Sequence, residues 1–201
     1  MSFTVFATAI LSAMLINNVI LMQFLGICPF LGVSKKSSSA IGMSAAVLFV
    51  MVIASAVTYT LYDLVLYPFD IPYISTIAFI LVIASLVQLV EMIIKKFSTP
   101  LYKSLGIYLP LITTNCAILG VSEGNISNIW TETLPYMDGL FIAVSTAIGT
   151  GLGFGLIIFA FSSIREKMDG LNIPEAWKGV PISLLVAGIM SLAFIGLGGV
   201  I

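Results

Sequence analysis

Two cysteines are the residues of this sequence best suited to chemistry. Cys28 and Cys116 each begin the motif Cys-x-x-Leu-Gly-Val-Ser, once in each half of the 201-residue chain. Histidine is absent, so the usual proton shuttle and the usual nitrogen ligand of metals are missing. The two thiols are therefore the candidate metal ligands of this chain.

Three interpretations of these cysteines are open. A cysteine in a membrane segment is often only a small apolar side chain. A disulfide between Cys28 and Cys116 would require a Cα separation that sequence alone does not give. The third interpretation is metal binding, because thiolates hold iron-sulfur clusters, which ordinarily take four of them. With two cysteines, the chain would have to share such a cluster with a second copy or with a homologous protein that repeats the motif.

The composition predicts that the chain lies in a membrane. Hydrophobic residues make up 60% of it, charged residues 8%, and the mean hydropathy is +1.17, well beyond the roughly half apolar content of a soluble domain. The net charge is -1, without a basic or acidic run, so nucleic-acid binding is not expected. Bilayer lipid is the expected surrounding.

Six stretches have the roughly 20 apolar residues that a membrane-spanning helix needs. The predicted spans are approximately residues 3–24, 41–62, 73–94, 101–121, 140–162 and 180–200. The first lacks a basic start and a small-residue cleavage pattern, which indicates a retained helix rather than a signal peptide. The short connections leave no room for a soluble domain, so we expect a single membrane domain over residues 1–201.

The charged residues predict the orientation of the spans. Cytoplasmic loops retain lysine and arginine, and every basic residue falls on one predicted side, in or beside the first, third and fifth connections. The basic residues are Lys35, Lys36, Lys95, Lys96, Lys103, Arg165, Lys167 and Lys178. Both termini are then outside, together with the acidic connections that hold Asp63, Asp70, Glu123, Glu132 and Asp138.

The repeated motif predicts two halves of opposite orientation, about residues 1–97 and 98–201. Three spans separate the copies, so the first and fourth spans cross in opposite directions. Inverted repeats of this kind place a working site near the midplane, on interrupted helices. Glycine and proline predict interruptions in both spans, since they permit close approach or remove a backbone donor. These residues are Gly26, Pro29, Gly32, Gly106, Pro110 and Gly120.

Two further groups of residues lie inside predicted spans. One is polar and could serve hydrogen bonds between helices, contact with an ion, or hydrogen bonds to cluster sulfurs. It consists of Asn17, Asn18, Thr113, Thr114 and Asn115. The other is a run of alternate glycines in the fifth span, which we interpret as a surface for close helix packing. It consists of Gly149, Gly151, Gly153 and Gly155.

Longer strings around the cysteines resemble a known family, the A subunits of Rnf complexes. They are Asn17-Asn18, residues 23–36 (QFLGICPFLGVSKK), residues 88–92 (QLVEM) and residues 105–116 (LGIYLPLITTNC). The resemblance covers essentially the whole chain. The E subunits of sodium-translocating NADH:quinone reductases are similar, but residues 27–29 and 114–116 favour the Rnf family.

The resemblance implies a function and a set of partners. It implies a multi-pass component of an ion-translocating ferredoxin:NAD+ oxidoreductase in a bacterial or archaeal cytoplasmic membrane, not catalytic alone. Cys28 and Cys116 would be this chain's ligands to an intramembrane [2Fe-2S] cluster shared with the Rnf E subunit. Electrons would pass from the B subunit to a flavin in the G subunit, in a complex that also contains the C and D subunits, coupled to Na+ or H+ movement.

The rival interpretation is a secondary transporter without a redox cofactor. Inverted repeats and interrupted helices are common in that class. However, no charged residue lies near the centre of a predicted span, so a charged substrate would lack the expected partner. A transporter should show solute uptake when reconstituted alone.

Overall fold

The computed structural model describes residues 3–33, 37–68, 72–97, 109–129, 135–168, 170, 174 and 177–198. Every regular element in these ranges is a helix, so the predicted all-α class is confirmed for this part of the chain. The helices are α1 (Phe3–Leu11), α2 (Ile27–Val33), α3 (Ser37–Leu61), α4 (Ser75–Phe97), α5 (Leu109–Thr113), α6 (Cys116–Ile129), α7 (Tyr136–Met168) and α8 (Val180–Gly198). A π-helical turn extends α1 over Ser12–Ile16 and another extends α3 over Tyr62–Leu66, while a short 3-10 turn, Pro72–Ile74, precedes α4.

Several helices are long and apolar enough to cross a membrane. They are Ser39–Leu66, Ser75–Ile93 and Tyr136–Met168, and Val180–Gly196 is a shorter apolar helix. These helices coincide with the predicted spans 41–62, 73–94, 140–162 and 180–200, which confirms a multi-pass membrane protein. The total of six spans, the inverted repeat and the external termini stay predictions. Part of the predicted span 101–121 lies outside the described residues.

The first predicted span is interrupted, as the sequence indicates. Its helix ends at the π-helical turn, and an irregular segment leads to the start of α2 at Ile27. Asn18 favours this break, because its Oδ1 accepts the backbone N–H of Ile20 at 3.1 Å and so competes with helical bonding. Pro29 lies in the first turn of α2, where its missing donor has no cost. The break therefore runs from Asn17 to Gly26, before Cys28. The predicted Gly26 lies within it, whereas Pro29 and Gly32 lie in α2.

The irregular segment is covered by protein. Val19, Ile20 and Leu21 are almost fully buried, and the Ser191 hydroxyl of α8 donates to the carbonyl of Leu21 at 2.6 Å. The Leu25 amide donates to the carbonyl of Val19 at 3.1 Å. Non-helical backbone at membrane depth requires this kind of internal satisfaction.

The second interruption separates α5 from α6. The short helix α5 ends at Thr113, and α6 begins at Cys116, so two residues of non-helical backbone lie directly before the cysteine. Pro110 again lies in the first turn of a helix, and Gly120 lies within α6. Gly106 is outside the described residues. Both cysteine motifs thus begin where a helix restarts after a break.

The alternate glycines of α7 bring two other helices close to it, as predicted. A Cβ added to Gly149 would lie 2.7 Å from the carbonyl oxygen of Ile10 in α1, and one added to Gly153 would lie 2.7 Å from that of Met14. On the next face, a Cβ on Gly151 would lie 3.1 Å from Leu48 of α3. The N-terminal helix and α3 therefore pack on different faces of α7, against its backbone.

The outer surfaces of α4 and α8 carry large apolar side chains. Their exposed members include Ile77, Leu81, Leu89, Met92, Leu184, Ile189 and Leu192. A soluble protein rarely exposes such a continuous apolar surface. These faces are suited to contact with lipid or with other membrane proteins.

Candidate functional site

Both cysteines lie in the first turn of a helix. Cys28 is the second residue of α2, and Cys116 is the first residue of α6. The Cys28 thiol is exposed, the Cys116 thiol is half-buried, and both are free, so the disulfide interpretation has no support in this structure. The dipole at a helix N-terminus favours negative charge nearby, which suits thiolates that bind a metal.

The two breaks pack directly on each other at Cys116. The backbone N–H of Gly26 donates a hydrogen bond to Cys116 Sγ at 2.9 Å, across 90 residues of sequence. Gly26 itself is only two residues before Cys28. The hypothesis that the two interruptions meet is therefore supported by a direct contact between one break and the cysteine of the other.

Glycine is required where the first break contacts α6. Gly26 has a φ of +81°, a conformation that glycine adopts without steric cost. A Cβ added there would lie 3.0 Å from Phe154 Cε2 and 3.2 Å from both Ala117 Cβ and Asn115 Oδ1. A Cβ on Gly120, one turn after Cys116, would overlap the Leu25 side chain. Both glycines permit the close contact between the two halves.

Asn115 closes the N-terminus of α6 beside the cysteine. Its Oδ1 accepts the backbone N–H of Ala117 at 3.1 Å, as an N-cap residue does. Asn115 is only 4% exposed, and its Nδ2 has no hydrogen-bond acceptor within the described residues. Sequence inspection included Asn115 among the intramembrane polar residues but gave no reason to separate it from the others.

A polar cavity of about 410 Å³ lies between the first break, α6 and α7. It is lined by Ala9, Ser12, Ala13, Asn17, Val19, Gln23, Gly120, Val121, Gly124, Asn125, Thr146 and Thr150. Gly120 connects this cavity to the cysteine motif of α6. Sequence analysis missed most of its polar lining, although the spacing of Thr146 and Thr150 places both on one helix face and could have indicated it.

Buried hydrogen bonds fix the cavity wall. Asn125 Nδ2 donates to the Ser55 hydroxyl at 2.6 Å, and that hydroxyl donates to the carbonyl of Ala143 at 3.1 Å. Thr150 donates its own hydroxyl proton to the carbonyl of Thr146 at 2.8 Å. The lone pairs of the Thr150 oxygen are then available to an ion or another ligand in the cavity.

Glu123 lies on a helix and not in a non-helical connection. The sequence analysis ended the span at residue 121, but α6 continues through Ile129, while the external side of Glu123 stays a prediction. The Ser122 hydroxyl donates to the carbonyl of Ile118, one turn earlier in the same helix. This polar side chain is therefore accommodated within α6. Glu123 is half-buried, and its Oε1 has no hydrogen-bond partner within the described residues.

The described ranges contain no group of three or more His, Cys, Asp or Glu side chains that could hold a metal ion. Cys28 and Cys116 are also the only cysteines of the sequence. A cluster that takes four cysteines at these thiols would therefore need two of them from another chain. The exposure of Cys28 leaves its thiol accessible to such a partner.

Comparison with known proteins gives consistent results over the whole length. The model of the family described as "Rnf-Nqr subunit, membrane protein" matches residues 6–201. The A subunit of the Na(+)-translocating ferredoxin:NAD(+) oxidoreductase complex of Acetobacterium woodii is 52% identical over 189 residues, covering 94% of each chain. The A subunit of the ion-translocating oxidoreductase complex of Syntrophotalea carbinolica is 48% identical over 192 residues, covering 96% of this chain and 95% of the relative. The corresponding protein of Pasteurella multocida is 46% identical over 198 residues, covering 98% and 99%.

Proposed function

The chain belongs to the Rnf-Nqr family, as a membrane component of an ion-translocating oxidoreductase complex, and from this premise we propose that it holds half of an intramembrane [2Fe-2S] cluster. Cys28 and Cys116 would be its two ligands. The complex would be a ferredoxin:NAD+ oxidoreductase in the cytoplasmic membrane. This chain would conduct electrons and would not be catalytic by itself.

The observation that carries the proposal is the hydrogen bond from Gly26 to Cys116 Sγ. Backbone N–H groups directed at cysteine sulfurs are one of the means by which proteins tune iron-sulfur clusters. Asn115, the residue before Cys116, has a buried Nδ2 without an acceptor in the described residues. Two thiols at helix N-termini and an N–H donor directed at one of them fit an anionic iron-sulfur group.

The number of cysteines in this chain indicates how many ligands a partner must supply. A [2Fe-2S] cluster ordinarily takes four protein ligands, and this chain supplies two cysteines. We propose that the homologous Rnf E subunit supplies the other two, by way of the exposed Cys28 side of the site. The B and G subunits would be the electron donor and acceptor on the two membrane faces, with the C and D subunits completing the complex.

When bound, the cluster would supply one-electron transfer part of the way across a hydrocarbon barrier of about 30 Å. The chain's own residues would hold and orient it. Gly26 and the N-terminus of α6 would stabilise negative charge on Cys116. Phe154 and Ala117, which lie against Gly26, would keep water away from the sulfur.

The polar cavity supports a coupling to ion movement. Hard cations prefer oxygen ligands, and Asn125, Thr146 and Thr150, whose side chains carry oxygen atoms, line the cavity. Negative charge gained at Cys116 would favour a cation in this neighbouring cavity, because Coulomb attraction is strong where the dielectric constant is low. We propose that Na+ or H+ enters the protein by this cavity during electron transfer.

The test is to express the chain together with its E-subunit partner and each one separately. Iron, acid-labile sulfide and the EPR spectrum after reduction are then measured. The expected result is a [2Fe-2S] signal in the pair and in the control variant Ser85→Ala, whose hydroxyl lies exposed on α4. The signal should be lost when Cys28 and Cys116 are both replaced by Ala. A [2Fe-2S] signal that survives this double replacement would refute the ligand assignment.

A further inference from the structure

Asn115 Nδ2 is a buried donor that lacks an acceptor among the described residues. Buried donors in native proteins are almost always hydrogen-bonded, so an acceptor is expected from a group that is not part of the described chain. The amide Nδ2 is a hydrogen-bond donor and not an acceptor. It therefore does not bind a cation directly.

Asn18 provides an internal comparison. It is equally buried, at 1% against 4% exposure, and each side chain accepts the backbone N–H two residues later at 3.1 Å. The two differ in their amide nitrogens. Asn18 Nδ2 donates to the carbonyl of Met14 at 3.1 Å, whereas the amide nitrogen of Asn115 has no such partner within the described residues.

The position of Asn115 indicates the kind of acceptor. Its Oδ1 lies 3.2 Å from a Cβ built on Gly26, and the Gly26 amide is bonded to Cys116 Sγ. The side-chain amide of Asn115 and the sulfur of the next residue therefore flank the same glycine. The other two of the three atoms nearest to that Cβ are side-chain carbons of Phe154 and Ala117, which do not accept hydrogen bonds.

We propose that Asn115 Nδ2 donates a hydrogen bond to an inorganic sulfide of the cluster. The inference rests on the proposed function and assigns Asn115 a role in setting the reduction potential. A hydrogen bond to sulfur stabilises the more negative, reduced form. Together with the Gly26 amide, which donates to Cys116 Sγ, it would give the cluster two N–H donors from this chain.

The test replaces Asn115 by Ser in the chain co-expressed with its E-subunit partner. Serine retains the N-cap function and carries no charge, but it lacks the Nδ2 donor. The expected result is a normal content of iron and sulfide with a reduction equilibrium constant about tenfold smaller, which is a potential about 59 mV lower for one electron. The matched control Asn18→Ser should keep the wild-type potential, because its donor is used within the chain.

A spectroscopic measurement identifies the hydrogen bond itself. Pulsed EPR of the reduced cluster in H2O and D2O detects exchangeable protons near the sulfurs. One such coupling should disappear in Asn115→Ser, while the coupling from the Gly26 amide should remain. Loss of this coupling together with the lower potential is the signature of a sulfur acceptor.

Other results would overturn the inference. An unchanged potential in Asn115→Ser, combined with easier dissociation of the E-subunit partner, would mean that the amide bonds to a partner carbonyl. If Asn115→Ser does not assemble a cluster, Asn115→Asp is measured, and a potential that is not lowered, or a second failure to assemble, refutes the inference. Absence of a cluster from the wild-type pair would instead refute the proposed function.

Discussion

The rings of Phe30 and Phe161 stack with their centroids 4.1 Å apart and their planes 27° from parallel. Phe30 lies two residues after Cys28 on α2, Phe161 lies on α7, and both are about 1% exposed. This contact fixes the short helix α2, which carries Cys28, against the longest described helix. Seven residues alone would not form a stable helix in isolation, so the position of Cys28 depends on such contacts.

Replacing Phe30 by Ala is expected to destabilise the protein by about 3–5 kcal/mol, the usual cost of truncating a buried phenylalanine. Thermal unfolding in detergent measures the change. The control is Phe159→Ala, because Phe159 lies two residues from Phe161 on the same helix but is 48% exposed. Equal losses in both variants would contradict a specific role for the stacked pair.

Arg165 fixes the other end of α2. Its Nη1 donates to the carbonyl of Leu31 at 2.9 Å, and a cation near a helix C-terminus contributes about 0.3–1 kcal/mol. Arg165→Gln should lower the unfolding temperature of the isolated protein, because the stabilisation of α2 by this cation is lost. Lys167→Gln, which changes an exposed cation in the same turn, should leave the unfolding temperature unchanged. An unfolding temperature insensitive to Arg165 would show that α2 is held by other contacts.

The glycine face of α7 predicts a third effect. In Gly153→Ala, the new methyl group would lie 2.7 Å from the Met14 carbonyl and 2.9 Å from Asn18 Nδ2, and such overpacking costs about 1–3 kcal/mol. Gly188→Ala in α8 is the matched control, because no atom lies within 4 Å of its added Cβ. The control should be neutral or stabilised by up to about 1 kcal/mol. Unfolding temperatures of the two variants decide the question, and a stable Gly153→Ala would be inconsistent with the packing.

A substitution in the cavity wall is expected to reduce ion movement without removing the cluster. Thr150→Val keeps the shape of the side chain but removes the oxygen at the cavity wall, so the complete complex should move several-fold fewer ions per electron in proteoliposomes. The cluster EPR signal should be retained. Thr58→Val is the control, since Thr58 is buried and bonds back to its own helix at 2.7 Å but does not line the cavity. Equal ion-to-electron ratios in wild type and Thr150→Val would exclude this site from the ion path.

The sequence predicts those features that depend on local patterns. Long apolar stretches predicted the spans that form α3, α4, α7 and α8, and the alternate glycines predicted close packing. The breaks were predicted from Gly26 and Pro110, although the first begins earlier, because the side chain of Asn18 bonds to the backbone. These features are encoded within a few residues of one another.

Features that depend on distant residues could not be predicted in this way. The bond between Gly26 and Cys116 joins positions 90 residues apart, and the cavity wall combines the first break with α6 and α7. Glu123 was assigned to a connection because charge usually ends a span, whereas α6 continues past it. Only the packed structure distinguishes the buried amides of Asn18 and Asn115.

The hydrogen bond from Ser191 to the Leu21 carbonyl has a consequence for biogenesis. The ribosome makes the first break early, but the donor that satisfies this carbonyl belongs to the last described helix. The glycines of α7 that cover the same region also emerge late. The nascent chain therefore enters the membrane with polar backbone that still awaits its donor, and insertion machinery or water must shield it until α8 has been made. Maturation of the site is thus expected to follow the synthesis of α8, and truncation before α8 should leave an inserted but immature protein.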